Sequence, residues 1–147
     1  MSKTPPESDL ESFKRVLDYA DAFIQKTKEY IEKYVPEDSI DDIEQLRNEA
    51  VILPKYDAAT LEAVRIGRIL ARAWIIKLEV KKCKTDIQMK DIKIRRLMAP
   101  LSARVDGLLS ETEDIIQAIT AIKSSIDGRA KFYEKAQFIL FAQKTFV

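Results

Sequence analysis

Apolar residues recur at alternating intervals of three and four along two long stretches of this chain. That spacing draws one stripe on an α-helix and excludes a strand, which would need alternation by two. The first stripe runs Leu10, Phe13, Leu17, Ala20, Ile24, Thr27, Ile31 and Tyr34. The second runs Ile66, Ile69, Ala73, Ile76, Val80, Cys83, Ile87, Lys90, Ile94 and Leu97. Stripes of this kind predict long, coiled-coil-like helices that pack on one another. Lys90 is the polar exception on the second, where it either sets register or snorkels off a frayed end. Leu70, Trp74, Ile75, Leu78 and Ile92 widen that stripe. A widened stripe predicts more than one neighbour for the helix, with Trp74 in the core.

Local signals set the expected boundaries. Residues 1–7, with Pro5 and Pro6 and no apolar pattern, read as a flexible tail, and Ser8 with Glu11 forms a capping box that opens an acidic helix over 8–36. Ser39 with Asp42 caps a short helix over 39–50 carrying Ile40, Ile43, Leu46 and Ala50, which Pro54 terminates. Asp57 or Thr60 then caps the long basic helix of 57–98. Pro100 is either the first residue of a new helix or a kink in a continuing one, and the absence of Gly or Asn beside it favours a kink or tight corner over a loop. Ser110 and Glu113 form a further capping box after Gly107, and Gly128 marks a bend between helices over 100–127 and 128–146. With only three Gly among 147 residues, the whole is expected to be an all-α bundle, a single helical domain over 8–147.

The same composition narrows the chemistry. The chain has one Cys and no His, which removes disulfide frameworks and Cys/His zinc sites and suits a reducing cytoplasm. Cys83 lies on the apolar stripe and reads as a small buried hydrophobe. No glycine-rich phosphate loop is present, and no carboxylate pair stands out as an acid/base couple. Glu37, Asp38, Asp41, Asp42 and Glu44 lack the glycine and spacing of a calcium loop and read as a solvated helix start. The expectation is therefore a non-enzymatic protein with no metal and no cofactor. No basic-then-apolar leader and no apolar run of spanning length occurs, so the expected location is the cytoplasm, a host's cytoplasm if the protein is viral, with no membrane partner.

Charge is segregated along the chain. Residues 1–60 carry a surplus of six carboxylates, residues 61–100 a surplus of seven cations, and the remainder balances. Arg65, Arg68 and Arg72 stand at i, i+3 and i+7, Lys77, Lys81 and Lys84 follow on the next turns, and Lys82, Lys93, Arg95 and Arg96 extend the charge to the Pro100 corner. Regularly spaced cations on a rigid helix can track phosphates. They can equally be a solvated face, or one neutralised by the acidic first helix. Toward the other end, Phe132, Tyr133, Phe138 and Phe141 make the last segment unusually aromatic. They either pack on the central helix or dock a partner or neighbouring subunit.

Over roughly residues 57–141 the chain resembles the UvsY family of phage recombination mediators. Leu61 and Glu62 stand some thirteen residues ahead of Trp74, Ile75, Ile76 and Lys77, a Lys-rich helix follows, and Ala121, Ile122, Lys123 and Ser124 precede Arg129 and a terminal Phe141. The family's aromatic-Tyr-x-Gly corner is replaced by Met98, Ala99 and Pro100, and the acidic first fifty residues have no counterpart. The resemblance implies a small helical protein that forms rings, binds single-stranded DNA and helps load a recombinase. It implies DNA contact through Lys77, Lys81, Lys82, Lys84, Arg95 and Arg96, and assembly through the C-terminal helix.

Two functional expectations follow. One is a homo-oligomeric helical protein that binds single-stranded nucleic acid through the basic helix, a recombination or replication mediator. The other is a structural or scaffold subunit, virion-like or coiled-coil, that contacts only protein, its acidic helix lying against the basic helix of its own or an adjacent chain.

Overall fold

A computed structural model describes residues 5–36 and 47–146. Among them are four helices and no strand: α1 (Pro5–Lys33), α2 (Glu49–Gln88), α3 (Ile92–Leu97) and α4 (Ala99–Phe146). The fold is an all-α helical bundle. The proposed Ser39 cap, the first part of the 39–50 helix and the acidic cluster from Glu37 to Glu44 lie outside the described residues, as do residues 1–4 of the tail. The chain divides into two compact units, one of residues 1–33 and 70–118, the other of 34–69 and 119–147. Helices α2 and α4 each contribute one part to either unit.

Unit 1 packs three helices. Phe13, Leu17, Ala20, Ile24 and Thr27 of α1 are buried, as are Ala73, Ile76, Val80, Cys83 and Ile87 of α2. From α4 and its approach come Met98, Leu101, Val105, Leu108, Thr112 and Ile115. These are the three-four stripes, and they close within the chain. The two buried threonines are satisfied inside their own helices, Thr27 Oγ1 donating to the Phe23 carbonyl at 2.8 Å and Thr112 Oγ1 to that of Leu108 at 2.6 Å. Ion pairs fix the antiparallel register of α2 and α4: Lys77 with Glu113 at 2.5 Å and Lys84 with Asp106 at 3.1 Å.

The helices described in unit 2 are parts of α2 and α4. Ile52, Ala59, Tyr133, Ala136 and Leu140 form one buried cluster, with Val51, Tyr56 and Ala130 packed on it, and Ile66, Ile119 and Ile126 are fully buried as well. A polar cluster interrupts the stripes: the Tyr34 hydroxyl donates to Glu62 Oε1 at 2.5 Å, and Arg129 Nη2 reaches Tyr34 Oη at 3.3 Å and Glu62 Oε2 at 3.5 Å. Glu62 and Arg129 are thus charged residues on the seams. Lys90 lies in the turn after α2 and takes no seam position.

Several expected boundaries are corrected. Helix α1 is already helical at Pro5, because the first turn has no use for the missing prolyl N–H, and it ends at Lys33, ahead of Pro36. Helix α2 begins at Glu49 and passes through Pro54. Asn48 supplies the cap: its Oδ1 accepts from the Ala50 N–H at 3.0 Å, and its carbonyl accepts from Val51 and Ile52 at 3.0 and 3.1 Å. Starting after Pro54 would forfeit burial of Ile52, worth about 2 kcal/mol, and the proline costs a single backbone hydrogen bond near the helix end. Asp57 and Thr60 are therefore interior, and Thr60 Oγ1 donates to the Tyr56 carbonyl at 2.9 Å.

The long basic helix divides into α2 and α3 across residues 89–91. Pro100 sits in the first turn of α4, the position its ring geometry suits. From there α4 is unbroken to Phe146. Gly107 and Gly128 do not break the helix, and neither glycine has a positive φ. Ser110 and Glu113 lie in mid-helix, so they cap nothing.

Candidate nucleic-acid interface

The ten cations nominated from the sequence do not form one face. Arg65 and Arg68 belong to unit 2, where both are exposed. The other eight belong to unit 1 and split according to their neighbours. Arg72 flanks the α2 seam on the α1 side, its Nη1 donating to the Tyr19 hydroxyl at 2.9 Å. Lys77 and Lys84 flank it on the α4 side and are held by Glu113 and Asp106. Among the described residues, the carboxylates that pair with Lys77 and Lys84 thus belong to α4. The carboxylate Asp18 of α1 instead pairs with Arg104 of α4 at 2.7 Å, while Lys28 of α1 meets Glu111 at 3.5 Å.

Lys81, Lys82, Lys93, Arg95 and Arg96 remain exposed, and none forms an ion pair with another described residue. At ~100° per residue, Trp74, Leu78, Lys81, Lys82 and Thr85 occupy about 100° of arc opposite the buried Ala73, Ile76, Val80 and Cys83. Trp74 is 47% exposed, which corrects its expected place in the core. Ile75, Leu78 and Ile92 are likewise exposed. The Lys77 ammonium lies 4.8 Å from the Trp74 ring centroid while bonded to Glu113, an arrangement that positions the indole beside the outward cations. The Lys77 hydrogen bond, followed by its charge, holds the Glu113 carboxyl below the usual carboxylate range.

On unit 2 the aromatic C-terminal segment separates into two roles. Tyr133 is 1% exposed and buried in the core, so it is no partner contact; its hydroxyl meets no hydrogen-bond partner among the described residues. Phe138 and Phe141 are 71% and 64% exposed, with Ile139 and Phe132 about half exposed. Arg47, Phe132, Lys135, Ala136, Ile139 and Leu140 line an apolar hollow of about 340 Å³.

Among the described residues, no three His, Cys, Asp or Glu side chains gather closely enough to hold a metal ion. No helix there is long and apolar enough to cross a membrane. Sequence reasoning missed the outward exposure of Trp74 and the Tyr34, Glu62 and Arg129 cluster. The second was signalled by charges of opposite sign at seam positions of two helices. Comparison with known proteins gives no matching family model, no matching curated protein and no matching solved structure.

Proposed function

We propose that this chain is a non-enzymatic, self-assembling helical protein that holds single-stranded nucleic acid along the outward face of α2 in unit 1. The observation that carries the reading is an exposed indole on the same arc as two exposed cations, Lys81 and Lys82, neither of which forms an ion pair with a described carboxylate. Cations of this kind take phosphates without regard to sequence, and a half-exposed Trp offers an unpaired base a stacking surface. The resemblance to phage recombination mediators supports the same reading and supplies a role in the cytoplasm, the loading of a recombinase.

Fluorescence anisotropy of a labelled ~30-nucleotide single strand, at low and physiological salt with a matched duplex as competitor, tests it. Binding should be salt-sensitive and prefer the single strand. K81E/K82E and Trp74→Ala should each weaken it about tenfold or more with helicity unchanged. Equal affinity for strand and duplex, or full binding by both variants, would sink the reading.

A second reading, a structural subunit that contacts only protein, is favoured by the exposed Phe138, Ile139 and Phe141 of unit 2. Large apolar side chains grouped on one helix mark a contact surface. Sedimentation of F138S/F141S decides its premise: the variant should dissociate where the parent associates, and this reading leads if the parent assembles yet binds no nucleic acid.

A further inference from the structure

At the corner of unit 1 where α2 gives way to α4, helix α3 buries none of its residues. Met89, Ile92 and Leu97 there are 80%, 57% and 69% exposed. Six residues with nothing buried derive little stability from their own packing, and three large aliphatic groups in water gain by being covered. Residues 89–97 also include the exposed cations Lys93, Arg95 and Arg96 and one carboxylate, Asp91.

The order of these groups around α3 selects what covers them. At ~100° per residue it reads Ile92, Arg96, Lys93, Leu97, Ile94, Arg95, so aliphatic and cationic groups are interleaved. Adsorption to a lipid surface needs them segregated, apolar below and basic above. A protein contact of ordinary composition depletes charge from its centre. An unpaired polynucleotide presents base faces and phosphates in alternation, which is the pattern this corner matches.

We propose that residues 89–97 are a base-contacting element: Met89, Ile92 and Leu97 pack on unstacked bases while Lys93, Arg95 and Arg96 take the flanking phosphates. This rests on the nucleic-acid reading above and deepens it by naming what distinguishes a single strand from a duplex. Phosphates are present in both, but base faces are open only in the strand.

The test compares a ~30-nucleotide thymidine strand with an abasic strand of equal length and charge, using the full chain and two variants, M89S/I92S/L97S and R95E/R96E. The parent should prefer the thymidine strand about tenfold. The triple serine variant should cut that preference at least about threefold, its abasic affinity unchanged and the remainder belonging to Trp74, and R95E/R96E should weaken both strands alike. All five side chains are exposed, so helicity by circular dichroism should stay at the parental level. A serine variant that keeps the preference overturns the proposal while leaving the nucleic-acid reading intact; failure of the parent to bind either strand at low salt overturns both. Tighter binding of the parent to anionic phosphatidylserine vesicles than to the strand, lost in the serine variant, would reassign the corner to lipid.

Discussion

Cys83 is 5% exposed among the apolar residues of unit 1. Burial, reinforced by the nearby carboxylates of Asp86 and Glu79, raises its thiol above the ordinary value, so it stays protonated at neutral pH. A maleimide should label it at least about a hundredfold more slowly in the native protein than in denaturant, because reaction must wait for unit 1 to open. Glu113 responds in the opposite sense. Its carboxyl is depressed in the folded chain by Lys77, so the pairing stabilises above the unfolded value, about 4.3, and is lost as pH falls through the lower folded one. Lys77→Met should move the Glu113 titration, followed by carboxyl NMR, upward toward the ordinary range. At this scale the sequence was only partly legible. Cys83 was readable because its stripe position decided its surroundings. Trp74 was not: one step along a helix turns a side chain by ~100°, which carried the indole from the edge of the seam out to water. Ser110 and Glu113 made a valid capping pattern, but the partner of Glu113 lay 36 residues away on another helix.

The stripes themselves foretold α1 and the buried faces of α2, since period and burial are two views of one geometry. The ends of α2 and α4 were hidden because Pro and Gly act through energies that packing can outweigh. Gly107 and Gly128 sit inside α4 with negative φ, and nothing lies within 4 Å of where a Cβ would stand. Each therefore costs helix stability with no compensating contact. Gly107→Ala and Gly128→Ala should each stabilise the chain by about 0.5–1 kcal/mol in urea denaturation. Destabilisation would mean that the glycine serves a bent state of α4. The break at 89–91 contains no Pro or Gly at all. It falls just after Ile87, the last buried seam residue of α2, and reading the helix through to Leu97 concealed the exposed corner it creates.

For the molecule as a whole, segregated charge proved a weaker guide than segregated burial. The basic stretch of 61–100 is shared between two units, and within unit 1 its matched cations face α4. Helix α1 matters for its buried side chains: Phe13, Leu17 and Ile24 are each worth about 1.5–3 kcal/mol in the core of unit 1. A chain beginning at Ser39 should lose amide protection over 70–118, measured by hydrogen exchange. The cluster of Ile52, Ala59, Tyr133, Ala136 and Leu140 should keep more of theirs, because none of its members belongs to α1. Equal loss in both would show the units to be one cooperative body.

The buried positions of α4 fall at Leu101, Val105, Leu108, Thr112, Ile115 and Ile119, and this regularity constrains how the gene can change. A single codon inserted after Val105 would rotate every later side chain by ~100°, withdrawing Leu108 and Ile115 from the core together. Seven codons restore the phase, nearly two full turns. Point substitutions on the outer faces can accumulate one at a time, whereas changes of helix length are tolerated in blocks that restore the phase, about seven or eleven residues, matched on the partner helix.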